Sequence, residues 1–438
     1  MLRQWRSARR RGVAVSHAAS VSTPPSVAPF VEPQRAVTGA WIAAFAAAWV
    51  GVWMGQLGPF RVALPLQVAA EVDGTANWTD PVVAFGVVSG IAGAAMILSF
   101  PIAGYLSDRT TSKLGRRRPW ILGGSILFAV GLLALGFVQG LVLITVLWAL
   151  ALVGFSAVVA ALTALINDQV PVRQRGWVSG WLSSPRAVGI ILGAVLFTLV
   201  FTTVTVGYVV LAVALVVLVV PVMLFVKETP ITADQRPAGS LLAGMWVSPK
   251  KHPDFAWTWV SGFLVNAGNA LGTGLLLYYI AHELEFGDQA RQAFLPLIVV
   301  YLVCVVASAL ILGRVSDRIA RRKVFVIWGA LLQALSALVL AFFTDYTITF
   351  AAAVFLGLGY GAYLSAGQAL ATQVIPHAHH RAKDLGIMNV AYQVPVAMAP
   401  LLGALIVAAV GGFSGLFLLA GFLTAIGAAV IALVAKVK

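Results

Sequence analysis

The chain has 438 residues, of which 60% are hydrophobic and only 10% charged, and its formal net charge at pH 7 is +14. A soluble domain is about 45–50% apolar and about 25% charged, so the composition excludes an ordinary soluble protein and predicts a chain that lies in lipid. The basic residues fall in short segments between long apolar runs rather than on one solvated face, which argues against a nucleic-acid partner. The single cysteine, Cys304, excludes a disulfide within the chain.

The first 37 residues are rich in Arg, Ser and Pro, and the first acidic residue is Glu32. An Arg-rich, acid-poor start is also typical of an organelle transit peptide. We interpret residues 1–37 as a disordered basic cytoplasmic tail. Because Arg is used more than Lys and Ala, Val and Gly are frequent, the composition hints at a GC-rich bacterial source.

An apolar run of about 20 residues is long enough to cross the hydrocarbon core as a helix. Twelve runs follow in chain order, and the helices are numbered 1 to 12 by them: 40–70, 82–104, 119–138, 141–165, 178–203, 206–226, 256–280, 293–313, 324–343, 346–372, 386–410 and 413–435. All but three of the 29 Lys and Arg residues fall in segments on one side of these helices; the exceptions are Arg61, Arg186 and Arg291. Since basic loops stay in the cytoplasm, both termini are predicted to be cytoplasmic.

The chain repeats itself. "GYLSDR" at 104–109 corresponds to "GRVSDR" at 313–318, and "ALINDQVP" at 164–171 corresponds to "ALATQVIP" at 369–376. Gly193 of helix 5 corresponds in the same way to Gly403 of helix 11. Parallel repeats of this kind commonly build secondary transporters with a binding site between the halves. We therefore predict an all-α membrane protein of two six-helix bundles, 38–226 and 255–438, joined by a cytoplasmic linker at 227–254.

The loop between helices 2 and 3 has the most distinctive motif. We expect Gly104 to let a neighbouring helix approach closely, Asp108 to pair with Arg109 or a helix N-terminus, and Arg116, Arg117 and Arg118 to meet anionic headgroups. The recurrence of Gly–x–x–x–Asp–Arg in the second half predicts a gating latch in two copies. Its residues are Gly104, Asp108, Arg109, Gly115, Arg116, Arg117, Gly313, Asp317 and Arg318.

These loop residues resemble the signature of the major facilitator superfamily. The longer string "SDRTTSKLGRRRPWILGG", with "LINDQVPVRQRG" after helix 4, is similar to the glycoside–pentoside–hexuronide:cation symporters and the sucrose:proton carriers. The resemblance implies a secondary transporter of a sugar-like solute coupled to a proton or sodium ion. Two positions differ from those carriers: 82–104 has no acidic residue, and Thr163 stands where sucrose carriers have an arginine.

Polar residues inside apolar helices are the candidates for solute binding, because charge within a membrane is costly and usually functional. Arg186 follows Pro185 near the middle of helix 5, and Arg61 follows Gly58–Pro59 in helix 1. Amides and phenols, which offer directional hydrogen bonds to hydroxyl groups, cluster on helices 7, 10 and 11. They are Asn266, Asn269, Tyr360, Tyr363, Gln368, Asn389, Tyr392 and Gln393.

Four function classes are open to a membrane chain of this composition. A secondary transporter of a small polar solute, sugar-like or anionic, is favoured; an exporter of drugs or metabolites in the same superfamily is the alternative, and a sensor without flux comes third. A membrane enzyme is disfavoured because the apolar runs contain no cluster of catalytic or metal-binding residues, and the loop histidines His377, His379 and His380 are interpreted as solvated. We expect no cofactor and a monomer in the cell membrane surrounded by lipid.

Overall fold

The computed structural model describes residues 36–72, 77–171, 188–189, 191–193, 195–201, 203–228, 247–319, 321–374 and 381–435. The predicted tail and most of the linker 227–254 lie outside these ranges, so the domain boundaries stay predictions. Within the described part the regular structure is helical.

Eleven helices in the described ranges are long and apolar enough to cross a membrane. They correspond to helices 1–4 and 6–12, and run Gly39–Ala70, Asp80–Arg109, Arg118–Leu135, Leu141–Gln169, Val204–Phe225, Pro253–Glu283, Ala290–Ile319, Arg322–Phe342, Tyr346–Gln373, Arg381–Val410 and Ser414–Ile431. Of helix 5 the structure describes short pieces, including a π-helical turn at Leu196–Val200. The predicted spans are therefore confirmed outside helix 5.

The two halves pack their helices in the same pairs. In the first half helix 4 packs against helices 2 and 3, and helix 6 against helices 1 and 3; in the second half helix 10 packs against 8 and 9, and helix 12 against 7 and 9. Gly193 of helix 5 touches Gly58 of helix 1, and Gly403 of helix 11 approaches Leu271 of helix 7. The internal repeat in the sequence is thus a repeat in the packing.

The halves meet where helix 2 packs along helix 11. A Cβ at Gly86 would lie 2.6 Å from Ala404 Cβ, and a Cβ at Gly93 would lie 2.7 Å from the Ala397 carbonyl oxygen. Because helix 2 has glycine at these positions, the two backbones can approach closely, as is common for small residues between membrane helices. Gly86, Gly90 and Gly93 have the role that the sequence suggested for Gly104, whose Cβ would meet no described atom within 4 Å; that expectation for Gly104 is wrong in the described structure.

Helices 1 and 7 both depart from regular α-helix. Helix 1 contains a π-helical turn at Pro59–Ala63, because Pro59 has no N–H to donate into the preceding turn. Helix 7 is interrupted after Gly274 and ends in a π-helical turn at Tyr279–Glu283. Such turns leave backbone carbonyls available to other partners, and they often mark functional sites.

Candidate functional site

One end of the molecule, called here the basic end, has an ion-pair cluster between helices 2, 3 and 4. Arg117 precedes helix 3 and is only 5% exposed. Its guanidinium donates to Asp108, to Ser107 Oγ at 2.6 Å and, through Nε, to Asp168 Oδ2 at 2.9 Å. Arg116 lies 2.6 Å from the same Asp168 oxygen. Burial lowers the pKa of Arg117, but the charges of Asp168 and Asp108 and the hydrogen bonds to them together outweigh burial, so the pKa is raised.

Glu228, just after helix 6, closes this cluster from the side. Its carboxylate accepts the backbone N–H groups of Arg117 and Arg118 at 2.8 and 3.0 Å, where helix 3 begins with unpaired donors. Gly115 has a φ of +101°, and a Cβ there would collide with the Glu228 side chain. Burial raises the pKa of Glu228. The glycine in the motif is therefore needed both for its backbone angle and for the space that Glu228 occupies.

The structure corrects the expectation for the arginines of this loop. Arg116 and Arg117 are buried in ion pairs rather than facing headgroups. Asp108 pairs with Arg117, and Arg109 places its guanidinium 4.2 Å from the centroid of the Tyr105 ring. The loop consequently ties the ends of helices 2, 3, 4 and 6 together.

The second copy of the motif is described only in part. Gly313 packs against helix 10, where its Cβ would lie 3.2 Å from Ser365 Cβ. Arg318 is exposed, and Arg322 donates to the Ala369 carbonyl oxygen at 3.2 Å. The side chain of Asp317 lies outside the described residues, so its predicted part in the latch stays a prediction.

At the opposite end of the molecule, called here the far end, contacts join the two halves. Arg61, in the π-helical turn of helix 1, donates to the backbone carbonyl oxygen of Thr273 and, at 3.4 Å, to its hydroxyl. Thr273 immediately precedes the interruption of helix 7. Tyr278 donates to the Pro65 carbonyl oxygen at 3.0 Å, and Arg291 to the Phe197 carbonyl oxygen at 3.2 Å. Arg61 therefore bridges the halves rather than reaching lipid headgroups.

Aromatic rings seal the same end. Phe85 of helix 2 lies 5.9 Å from Phe60 and 5.6 Å from Tyr278, measured between ring centroids. We call Phe60, Phe85 and Tyr278 the aromatic plug. Closer to the end, Trp78 of the first half lies 5.9 Å from Phe413 of the second. These rings and the bonds of Arg61 close the structure at the far end.

Halfway along the second half, four predicted site residues come together on helices 7, 10 and 11. Tyr360 Oη donates to Asn266 Oδ1 at 3.0 Å, and the rings of Tyr360 and Tyr363 stack 6.3 Å apart. A Cβ at Gly262 would lie 3.6 Å from Tyr363 Oη and 3.8 Å from the Tyr392 ring. We call Asn266, Tyr360, Tyr363 and Tyr392 the amide–phenol cluster. Asn266 Nδ2 donates to the Gly262 carbonyl oxygen at 2.7 Å, so the cluster brings an amide and three phenols together around Gly262.

Asn269 lies on helix 7 one turn beyond this cluster and has other partners. Its amide donates to Gln333 Oε1 at 3.2 Å, and Tyr301 donates to its Oδ1 at 3.3 Å. Gln333 in turn donates to the Gly329 carbonyl oxygen. The Asn269 side chain is thus held in a buried network with helices 8 and 9, which indicates a structural contribution within the second half.

The remaining candidates are placed as follows. Gln393 is half-buried on helix 11, one turn nearer the basic end than Ala397, which touches Gly93. Arg186 lies outside the described residues, as do the side chains of Gln368 and Asn389. The proposed parts of these three in solute binding stay predictions.

The sequence reasoning missed three of the residues described above. Asp168 is within the quoted string "LINDQVPVRQRG", so a signal for it existed. Glu228 follows helix 6 in "VKETP", where its neighbours in sequence gave no signal for a contact with helix 3. Thr273 bonds through its backbone, which no side-chain pattern reports.

The side chains of the amide–phenol cluster are of a kind that can hydrogen-bond a hydroxyl-rich ligand. Phenols and an amide supply both donors and acceptors. Within the described ranges no group of three His, Cys, Asp or Glu residues is placed to hold a metal ion. Within the described residues the arrangement therefore suits binding of a small polar molecule by hydrogen bonds.

Comparison with known proteins identifies relatives of two kinds. A family model described as Major Facilitator Superfamily matches residues 42–298 and 284–438. The general alpha-glucoside permease of Schizosaccharomyces pombe is 32% identical over 133 residues, which are 27% of this chain and 23% of that protein. A sucrose transport protein of Oryza sativa subsp. indica is 51% identical over 37 residues, 8% of this chain and 7% of that protein. An uncharacterized symporter of Synechocystis sp. is 44% identical over 52 residues, 10% of each protein. The matched segments thus span about a quarter or less of these relatives.

Solved structures resemble the chain along most of its length. Crystal structures of a bacterial homolog to the human lysosomal transporter Spinster, both inward-facing, superpose with TM-scores of 0.66 for the unoccupied form and 0.67 for the occupied form. They are 14% and 13% identical and cover 90% and 91% of this chain and 96% of theirs. At this identity the likeness concerns the fold alone.

Proposed function

This chain belongs to the Major Facilitator Superfamily, and from that premise we propose that it carries a neutral, polyhydroxylated solute of the sugar or glycoside class across a membrane. The protein is a multi-pass membrane transporter. The observation that carries the choice of solute is the amide–phenol cluster, in which Tyr360 bonds Asn266 at mid-depth of the second half. The names of the permease and sucrose transport relatives support the same class.

The proposed mechanism is alternating access. The described bonds between the halves, from Arg61, Tyr278 and Arg291, lie at the far end. The ion pairs of Arg117 and Asp168 at the basic end instead join helices of one half. This arrangement supports a state closed at the far end, which must open there in another state for solute to cross.

We further propose that the basic end faces the cytoplasm of a bacterial cell, with both termini inside. The support is the positive-inside rule, since the basic loops collect at this end. The bundles 38–226 and 255–438 would rock about the contact between helices 2 and 11, with 227–254 as their linker. We propose a monomer within bilayer lipid and a proton or sodium ion as the coupling ion.

Uptake into proteoliposomes tests the proposal. Purified protein is reconstituted and given [14C]maltose or [14C]sucrose, with an imposed proton gradient, a sodium gradient or neither. We expect uptake of at least one sugar that a gradient accelerates. Asn266→Ala, which removes the acceptor of Tyr360, should lower uptake at matched protein levels.

The exporter alternative gives a different result in the same vesicles. A drug or metabolite exporter would take up neither sugar under any gradient but would move a lipophilic cation such as ethidium. That pattern would overturn the sugar proposal while leaving the family intact.

A further inference from the structure

Several buried polar side-chain atoms of the first half have no hydrogen-bond partner in the described structure, and two of them lie one helical turn from residues of the aromatic plug. Gln56 of helix 1 is 7% exposed and its Oε1 is buried and unpaired; Ser89 of helix 2 is 4% exposed and its Oγ is likewise unpaired. A buried polar atom without a partner loses its hydration and gains no hydrogen bond in return. Native structures keep few such atoms, and each requires an explanation.

Helical spacing places the two residues at about the same depth, on the basic-end side of the aromatic plug. Helices 1 and 2 run antiparallel, and their Phe60 and Phe85 rings are in contact. Gln56 precedes Phe60 by four residues and Ser89 follows Phe85 by four. Each therefore lies about one helical turn, roughly 6 Å, nearer the basic end on the side of its helix that carries the plug residue.

A buried amide of the second half shows the contrast with Gln56. The Asn269 amide of helix 7 has both its oxygen and its nitrogen occupied by Tyr301 and Gln333. Gln56 Oε1 in helix 1 has no hydrogen-bond partner in the described structure.

We propose that Gln56 and Ser89 form the first-half subsite for the transported solute, with Gln56 Oε1 accepting a hydrogen bond from a solute hydroxyl. The assignment rests on the proposed function. In the present state the plug covers the subsite. When the far end opens, the plug separates and both atoms gain the solute or water as partner, which removes their desolvation cost.

The neighbours of the subsite argue against a cation as its ligand. Trp53 lies one turn from Gln56 on helix 1 and packs its ring 5.5 Å from Phe155. The acidic residues nearest in sequence are Glu71, Asp80 and Asp108, at the ends of helices 1 and 2. Aromatic walls with a few placed polar groups are typical of small-molecule sites. A cation would require a charge or more oxygen ligands to offset its dehydration.

Transport kinetics test the hydrogen bond. Gln56→Leu keeps the approximate size of the side chain and removes the acceptor. Ser125→Ala is the control, because Ser125 is also buried with an unpaired Oγ but belongs to helix 3. We expect Gln56→Leu to raise the KM for [14C]maltose uptake about tenfold, and Ser125→Ala to leave the KM unchanged. Maltose analogues that each lack one hydroxyl are then used as competitors of uptake. In wild type, the analogue that lacks the hydroxyl bonded by Gln56 should inhibit uptake about tenfold more weakly than unlabelled maltose. In Gln56→Leu, that analogue and maltose should inhibit uptake equally. An unaltered KM in Gln56→Leu would overturn the hydrogen bond. So would a Gln56→Leu protein that discriminates against the same deoxy analogues as wild type.

Thiol labelling tests the location independently of the sugar. Gln56→Cys and Ser125→Cys are made in a Cys304→Ser background and exposed in membrane vesicles to a small, charged methanethiosulfonate. Gln56→Cys should react at least about tenfold faster, and maltose should slow it. Equal rates would overturn the location of the subsite even if wild type transports maltose. Fast labelling in a protein that takes up no sugar would refute the sugar class, and thus the proposed function, while retaining Gln56 on the path. Fast labelling that sodium slows and maltose does not would overturn the hydroxyl assignment in favour of a cation.

Discussion

Asp168→Asn tests whether the buried ion pairs at the basic end hold helices 2, 3 and 4 together. The Asp168 side chain is 22% exposed and its Oδ2 contacts both Arg116 and Arg117. Asparagine has nearly the same shape and keeps one acceptor oxygen, but it removes the charge. Two buried guanidinium groups then lose the carboxylate that they share.

The structure sets the expected size of the effect. Breaking a buried ion pair by removing one partner costs about 3–5 kcal/mol. Arg117 keeps its bonds to Asp108 and Ser107, and asparagine still accepts a hydrogen bond. We therefore expect about 2 kcal/mol, which lowers Tm by roughly 4–8 °C for a unit of this size.

The assay is thermal unfolding of purified protein in detergent, followed by intrinsic tryptophan fluorescence. Asp108→Asn is the matched control, because Asp108 is 46% exposed and bonds one guanidinium. Solvent screening reduces its contribution to less than about 1 kcal/mol, so its Tm should fall by no more than about 3 °C. Equal shifts in the two variants, or none in Asp168→Asn, would refute the buried-pair argument.

Three further predictions concern single residues. Burial raises the pKa of Glu228, so the folded protein binds the proton of this carboxyl group more tightly than the unfolded chain does. Ionisation of Glu228 at high pH therefore lowers the stability of the fold, and that stability is regained as the pH falls through the raised pKa. Glu228→Gln keeps an acceptor for the helix 3 N–H groups without the charge. Its Tm should exceed that of wild type at pH 8, and the difference in Tm should narrow toward pH 5. A Tm difference that does not change with pH would contradict this. Arg61→Gln loses the bonds to helix 7 and should open the far end, so spin labels at Asp80→Cys and Val410→Cys should show a larger share of long distances than in wild type; unchanged distances would exclude Arg61 as a closing contact. Arg186→Ala should abolish [14C]maltose uptake while the purified protein stays monodisperse, because a charge predicted near mid-membrane is retained for function; normal uptake would remove Arg186 from the path.

The fold was largely predictable because a membrane-spanning helix can be recognised from its own stretch of sequence. About 20 apolar residues bounded by basic loops define a span without knowledge of its neighbours. The repeat was visible for a similar reason, since glycines such as Gly193 and Gly403 recur wherever equivalent helices must approach closely. Helix ends were less predictable: helix 2 extends to Arg109, so Asp108 lies in its last turn rather than in a loop.

The site was predicted in part, and the misses have a common physical cause. Residue type and helical spacing indicated Asn266, Tyr360 and Tyr363, which the structure brings together. The burial of Arg117 depends on Asp168, 51 residues away in sequence. The Glu228 contact joins the end of helix 6 to the start of helix 3, and such pairing is decided by tertiary packing rather than by local pattern.

Counterflow in proteoliposomes tests the central claim, sugar translocation through the amide–phenol cluster, most directly because it requires no knowledge of the coupling ion. Vesicles loaded with unlabelled maltose are diluted into trace [14C]maltose, and the internal label is followed over time. We predict a transient accumulation above the external concentration for wild type and little for Asn266→Ala. Absence of counterflow in wild type with both maltose and sucrose, in protein shown to be monodisperse and correctly inserted, would contradict the account.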